Sequence, residues 1–147
     1  MDIVTRIAAN EQDFFSALDI RHAVFIEEQG IDEELERDIQ DTNATHAIAE
    51  ISGKIVATGR FTIVMRDGER IARVGRMAVL INYRRQGIAT KVLAALEAEA
   101  KRQGLFKIEL HSQEYIQSFY IYCGYQAEGP IFLEAGIEHI TMSKIID

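Results

Sequence analysis

The sequence predicts an α/β domain built on a mixed β-sheet, and three observations predict it. Stretches of strand-like alternation and of helix-like spacing follow one another in the order β-α-β-β-β-α-β-α-β-β. The chain has 147 residues, 48% hydrophobic and 27% charged, an ordinary globular composition. A chain of this length should bury roughly 70% of its unfolded surface around one core. Proline occurs once, at Pro130, and no Gly/Ser/Pro-rich linker or internal repeat divides the chain, so residues 1–147 read as one domain.

Each element has its own signal. Residues 3–8, IVTRIA, form a first strand. Over residues 11–29, Phe14, Leu18, Arg21/His22 and Phe25 recur at spacings of three and four, which is the stripe of a helix. Residues 30–44 are acidic and irregular. HAIAEI (46–51), Ser52-Gly53 and KIVATGRFTIV (54–64) make a hairpin, Ser-Gly being a suitable two-residue turn. Asp67-Gly68 turns the chain again into RIARVGRMAVLI (70–81), a long strand of imperfect alternation. After Gly87 comes a helix with Ala89, Val92/Leu93, Leu96 and Ala100 on one side. Lys101 and Arg102 complement the negative end of its dipole, and Gly104 suits the left-handed residue that follows many helices. FKIELHS (106–112) alternates, with Ile108 and Leu110 on one face and Lys107, Glu109 and His111 on the other. YIQSFYIYC (115–123) is a short helix stopped by Gly124. YQAEG (125–129) and EHITMSKI (138–145) are the last strands.

Net charge is −7, which argues against general nucleic-acid binding and suits cationic small substrates. The acidity concentrates in EEQGIDEELERD (27–38), read as a solvated segment. The lone Cys123 allows no disulfide within the chain, which fits a reducing compartment, and its aromatic surroundings (FYIYCGY) mark a core residue rather than a nucleophile. No apolar run approaches 18 residues and the start, MDIVTRIAAN, has no leader pattern, so no membrane association is expected and the cytoplasm is the expected compartment. Four scattered histidines and one cysteine lack ligand spacing, so no metal is expected.

One local feature opposes the global charge. Arg84 and Arg85 stand just before Gln86-Gly87, where a helix begins. The first amides of a helix lack partners within it and carry about half a positive charge, so a strand–loop–helix junction is a ready anion site. Small residues at Gly87 and Ala89 let the main chain approach an anion closely. Without an anion, two arginines here oppose the dipole. The loop has neither the P-loop pattern nor GxGxxG.

The combined pattern resembles the GNAT superfamily of acetyl-CoA-dependent N-acetyltransferases. Val79 precedes Arg84 by five residues, RRQGIA (84–89) fills the R/Q-x-x-G-x-G/A loop, and Leu110, Gln113 and FYIYCGY (119–125) follow in family order. IRHAVFIEEQG (20–30), DTNATHAIA (41–49) and EAGIEHITM (134–142) resemble the ElaA-like branch. Departures are Ile81 in place of a common proline, Gln113 in place of a common asparagine, and Tyr125 as the final aromatic.

The resemblance implies a mostly antiparallel central sheet flanked by helices, with acetyl-CoA as co-substrate where two parallel strands splay apart. It implies pyrophosphate on the amides of Gln86, Gly87, Ile88, Ala89 and Thr90, flanked by Arg84 and Arg85. The pantetheine arm would pair with Met77, Ala78 and Val79, with a further cofactor contact at Gln113 and an oxyanion held by backbone N–H near Val79. Tyr120 matches the family's proton donor to the leaving thiolate. Arg21, Phe25, Glu28, Gln29, His46 and His111 are candidates for the acceptor side, and His46, His111, Glu28 and Glu109 are candidate bases. The implied activity is direct acetyl transfer to a primary amine of a small molecule or peptide in a ternary complex. A non-catalytic acyl-CoA-binding or sensor module is the alternative, and acyl-homoserine lactone synthases show a fainter likeness. Homodimers are common among such relatives.

Overall fold

The computed structural model describes residues 2–146. β1 (Ile3–Ile7) leads into α1 (Glu11–Arg21) through a turn fixed by side chains. Asn10 caps the helix by accepting the Asp13 N–H, and Asp13 accepts from Ala9 N–H and from both Nη atoms of Arg6. The helical stretch expected over 11–29 changes pitch partway. His22–Glu28 is a π-helix, in which Gln29 N–H reaches back five residues to Val24 C=O. The wider turn shifts the facing of its residues, so that Val24 is buried against the sheet while Glu28 reaches Arg84.

The acidic segment is not simply solvated, which corrects the expectation for residues 27–38. It holds α2 (Glu33–Glu36), capped by Asp32, and a 3₁₀ turn at Ile39–Thr42. Glu36 and Asp41 are buried and bind Arg21, while Asp38 and Asp41 bind Arg60. The reason is electrostatic: Arg21 and Arg60 lie inside, and a buried guanidinium requires a carboxylate partner. Burial opposes the charge on Asp41, but hydrogen bonds from Arg21 and then the charges of Arg21 and Arg60 outweigh it and hold the carboxyl at about 2.

β2 (Thr45–Ile51), β3 (Lys54–Arg66) and β4 (Glu69–Val79) form a meander, then α3 (Ile88–Arg102) crosses to β5 (Lys107–Gln113). α4 (Gln117–Tyr122), β6 (Gln126–Glu134) and β7 (Ile137–Ile145) complete the chain. The seven strands lie in the order β1-β2-β3-β4-β5-β7-β6, antiparallel throughout except for β4 and β5. The expected α/β architecture, a mostly antiparallel mixed sheet with flanking helices, is the one observed.

Several boundaries differ from the sequence pattern, and two of them have a clear local cause. β4 stops at Val79 because Leu80–Tyr83 tightens into a 3₁₀ turn, with Tyr83 N–H donating to Leu80 C=O. β6 runs on past residue 129 because it is an edge strand. A register jump between Glu128 and Phe132 absorbs Pro130, which has no N–H to offer the ladder.

The main core lies on one face of the sheet, where Val92, Leu93 and Leu96 of α3 meet Phe61, Ile108, Leu110 and Met142. α1 and the π-helix cover part of the other face through Ile20, Val24 and Ala78. Gly59 sits beneath α3: a Cβ there would come within 3.1 Å of both Val92 and Leu96.

Candidate active site at the β4–β5 fork

The two parallel strands pair only over Ala72–Val74 and Ile108–Leu110. Beyond them β4 stays on β3 as far as Val79, and β5 stays on β7 as far as Gln113. The result is a fork. Its geometry begins at a bulge: Gly59 of β3 faces two residues of β4, and Arg76 takes a left-handed φ of 55°. Arg76 then reaches across to Glu36 C=O at 3.0 Å and to Asp38, anchoring α2 over the mouth. Leu80 N–H donates to Val56 C=O, so Val79, opposite Ala57, turns its own N–H and C=O toward the fork. Met77, Ala78 and Val79 therefore line one edge of the opening.

The loop after β4 is the one where the sequence pattern placed an anion. Arg85 and Gly87 both have left-handed φ, 63° and 79°, and Gly87 is the residue before α3. No side chain among the described residues caps that helix start, so the amides of Ile88, Ala89 and Thr90 point out of the helix without a side-chain acceptor there. Arg85 and Gln86 are exposed. Arg84 is turned back: it donates to Val79 C=O at 2.8 Å and to both oxygens of Glu28. A cleft of about 370 Å³ adjoins this loop, lined by Val24, Glu28, Lys54, Leu80 and Tyr83 among others.

Tyr120 lies in the first turn of α4, buried, with Phe119 and Tyr125 edge-on at 5.0 and 5.9 Å. Its hydroxyl makes no hydrogen bond among the described residues. Burial, and then the nearby Cys123, push the phenol up to about 12, so it is a neutral O–H donor at any physiological pH. Burial likewise raises the Cys123 thiol, which sits beside Thr90 of α3, in keeping with a core residue rather than a nucleophile. That contact sets α4 next to the start of α3.

The acceptor-side candidates separate into two groups. Arg21 is 1% exposed and spends its donors on Glu36 and Asp41. His46 is buried with Nε2 on Asp41 C=O, and desolvation lowers its pKa. Both belong to the interior ion network rather than to the surface of the fork. Phe25 packs with Val24 and Ala78, and Glu28 and Gln29 are exposed at the end of the π-helix. Glu109 is held by Arg66 through two hydrogen bonds of 2.9 and 2.8 Å. Gln113 closes β5 opposite His139. His111 stands at the mouth, one residue past the last β5 residue paired to β4.

Around His111 the structure assembles Arg73 and Phe132, which no motif singled out, with Glu134 and His139 of the EAGIEHITM stretch. Arg73 Nη2 lies 2.7 Å from His111 Nδ1, Glu134 Oε1 lies 3.0 Å from the same atom, and Phe132 meets the ring edge-on at 5.0 Å. His139 stacks on Phe132 and comes within 3.6 Å of Glu134. The usable signal is alternation. Arg73 and His111 both fall on the faces of their strands opposite the apolar residues, and parallel pairing of those strands brings them together. Among the described residues no cluster of His, Cys, Asp or Glu has the makings of a metal site, and no helix is long and apolar enough to cross a membrane.

Known proteins share this fold and parts of this sequence. The family model described as an acetyltransferase (GNAT) domain matches residues 7–146. The chain is 37% identical over 139 residues to the Bacillus subtilis protein YyaT, covering 92% of this chain and 91% of that one. It is similar to the crystal structure of an acyl-CoA N-acyltransferase from Pseudomonas aeruginosa, with 25% identity, a TM-score of 0.81, and 97% and 98% of the two chains covered. Escherichia coli ElaA shares the fold at 22% identity, with a TM-score of 0.80 over 97% and 99% of the chains.

Proposed function

Because the chain belongs to the GNAT acetyltransferase family, we propose that it moves the acetyl group of acetyl-CoA to a primary amine of a small molecule or peptide by direct attack in a ternary complex. The observation that carries the proposal is the fork: an unpaired edge of β4 joined by one loop to a helix start with no side-chain cap among the described residues. These features fit acetyl-CoA. An extended pantetheine arm runs along Met77, Ala78 and Val79 and pairs with the main-chain groups that face the fork. The diphosphate takes the free amides at Gln86–Thr90, where the space around Gly87 is open. Acetyl-CoA supplies the activated acyl thioester.

The chain's own groups do the rest. Backbone N–H at Val79 faces the fork and suits the negative charge that grows on the acyl oxygen. Tyr120 donates a proton to the departing sulfur, and its raised pKa keeps that proton available. His111 is the base candidate that stands at the mouth, since Glu109 is committed to Arg66 and His46 is buried. Release of free thiol from acetyl-CoA, followed across a panel of polyamines, amino acids and peptide N-termini, tests the proposal. Thiol release that depends on one class of amine supports it. Coenzyme A binding without thiol release from any amine points instead to a non-catalytic acyl-CoA sensor.

A further inference from the structure

The geometry points to an acceptor that carries a carboxylate one or two carbons from its amine, the carboxylate held by Arg73 and the amine presented to His111. The inference rests on the acetyl-transfer reading and names the substrate class of that site.

Arg73 is the residue before Val74, where β4 parts from β5, and His111 is the residue after Leu110, where β5 parts from β4. Both stand on the face opposite α3. α1 packs over β2, β3 and β4 on that face, and the groups toward β5–β7 stay accessible: Glu134 is 46% exposed and His111 21%. Among the described residues eight arginines lie within 4 Å of a carboxylate. Of the other three, Arg70 and Arg85 are exposed, and only Arg73 is half-buried. Its single side-chain partner is the His111 ring, through Nη2, so among the described residues its Nε and Nη1 donate to nothing. A half-buried guanidinium with a free forked edge fits a carboxylate in two-point geometry.

His111 supplies the second, independent observation. Its Nδ1 faces Arg73 Nη2 at 2.7 Å and Glu134 Oε1 at 3.0 Å. One ring nitrogen accepts from the first or donates to the second, never both. A carboxylate that draws off the Arg73 donors resolves the conflict. Nδ1–H then donates to Glu134, and the lone pair is left on Nε2, where it accepts a proton. Substrate binding thereby sets the tautomer of the base. The spacing is short: Arg73 Nη2 lies 2.7 and 3.3 Å from the two ring nitrogens, which suits an amine next to its carboxylate rather than at the end of a long chain. In the transfer, the amine nitrogen bonds to the acyl carbon as the C–S bond breaks. The ammonium proton passes to His111 Nε2, the thiolate takes a proton from Tyr120, and the second amine proton restores the phenol.

The test measures thiol release with the common amino acids, their α-amides and the matching amines that lack the carboxylate, in wild type, Arg73→Met and Arg73→Lys. Wild type should favour at least one acid over its amide by roughly 10- to 100-fold in kcat/KM, the worth of a charge-assisted hydrogen-bonded pair. Arg73→Met should collapse that ratio toward one with coenzyme A affinity unchanged, and Arg73→Lys should keep part of it. Amides or plain amines that match the acids in wild type overturn the inference, as does a preference that survives in Arg73→Met. Absence of turnover with every acid overturns it as well, and a coenzyme A titration then separates the two levels. Retained binding leaves acetyl transfer standing with another class of amine, and lost binding removes both.

Discussion

Glu28 and Arg84, 56 residues apart, meet in a two-point ion pair with distances of 2.6 and 2.7 Å. The pair joins the end of the π-helix to the loop before α3, and the same guanidinium holds Val79 C=O. The hydrogen bonds from Arg84 hold the Glu28 carboxyl below its ordinary range. An exposed pair of this kind adds little to stability, so its consequence is positional: three segments that border the fork are fixed to one side chain.

Arg84→Glu should therefore do two things at once. It sets two carboxylates against each other at residues 28 and 84 and places a negative charge beside the proposed diphosphate. Coenzyme A affinity should fall by roughly 2 kcal/mol, about 30-fold, by calorimetry. The exchange of both residues, Glu28→Arg with Arg84→Glu, restores the ion pair but leaves the charge at residue 84 reversed. Thermal stability should recover in the exchange while affinity stays low. Full recovery of affinity would assign Arg84 to positioning alone.

Tyr120→Phe removes only a hydroxyl, from a ring whose packing against Phe119 and Tyr125 is edge-on. Turnover should drop at least tenfold, with coenzyme A affinity unchanged, since proton donation to a leaving group is worth roughly 10²–10⁴-fold. The sign of the pKa shift adds a second readout. The folded value is raised above the ordinary 10.0, so the donor form persists through pH 10 and is lost only as pH passes about 12. A pH–rate profile should show no alkaline loss attributable to this group below pH 10. An unchanged rate in Tyr120→Phe would take the residue out of the chemistry.

Asp41 gives a prediction about stability. Its folded pKa of about 2 lies below the ordinary 3.8. A depressed carboxyl contributes stability above the unfolded value and loses it as pH falls through the folded one. Asp41→Asn should thus cost on the order of 2 kcal/mol at pH 7, and the gap from wild type should narrow between about pH 4 and pH 2. Urea titrations at pH 7, 4 and 2.5 measure it. A gap that is constant with pH would mean that packing, not charge, sets the contribution.

The fold was legible in the sequence wherever one face of an element met the core. Ile108 and Leu110 alternate, and Val92, Leu93 and Leu96 share a stripe, so β5 and α3 could be read from spacing alone. The loop at Arg84–Gly87 stood out in the sequence because its charge opposes both the helix dipole and the net charge, and the structure starts α3 just after it. The ion network was not, because Arg21 sits at helical spacing on a helix whose buried face includes a charge. Nothing local tells that Glu36 and Asp41, 15 and 20 residues downstream, come back to meet it. The π-helix was hidden for a similar reason: its residues meet the sheet and Arg84, partners far away in the sequence. Arg73 and His111 were each visible as polar positions on a strand, but their meeting depends on a parallel register spanning 38 residues.

Gly59 tests the packing that holds the bulge and the fork in place. It lies on β3 opposite the extra residue of β4, under α3. A Cβ there would overlap the end of the Met77 side chain and press on Val92 and Leu96 at 3.1 Å. Met77 is flexible and can swing aside, whereas the two α3 side chains are fully buried and have no room to give. Gly59→Ala should cost about 1–3 kcal/mol, the range for overpacking a filled core. It should also weaken coenzyme A binding, because the displaced Met77 lies on the strand edge proposed for the pantetheine arm. Gly53→Ala is the control: that glycine is in a surface turn with nothing within 4 Å of its Cβ position, so the change strains the turn without touching the fork. Chemical denaturation and calorimetry on the two variants should show a stability loss in both and an affinity loss in Gly59→Ala alone. Equal affinities would detach α3 packing from the cofactor edge.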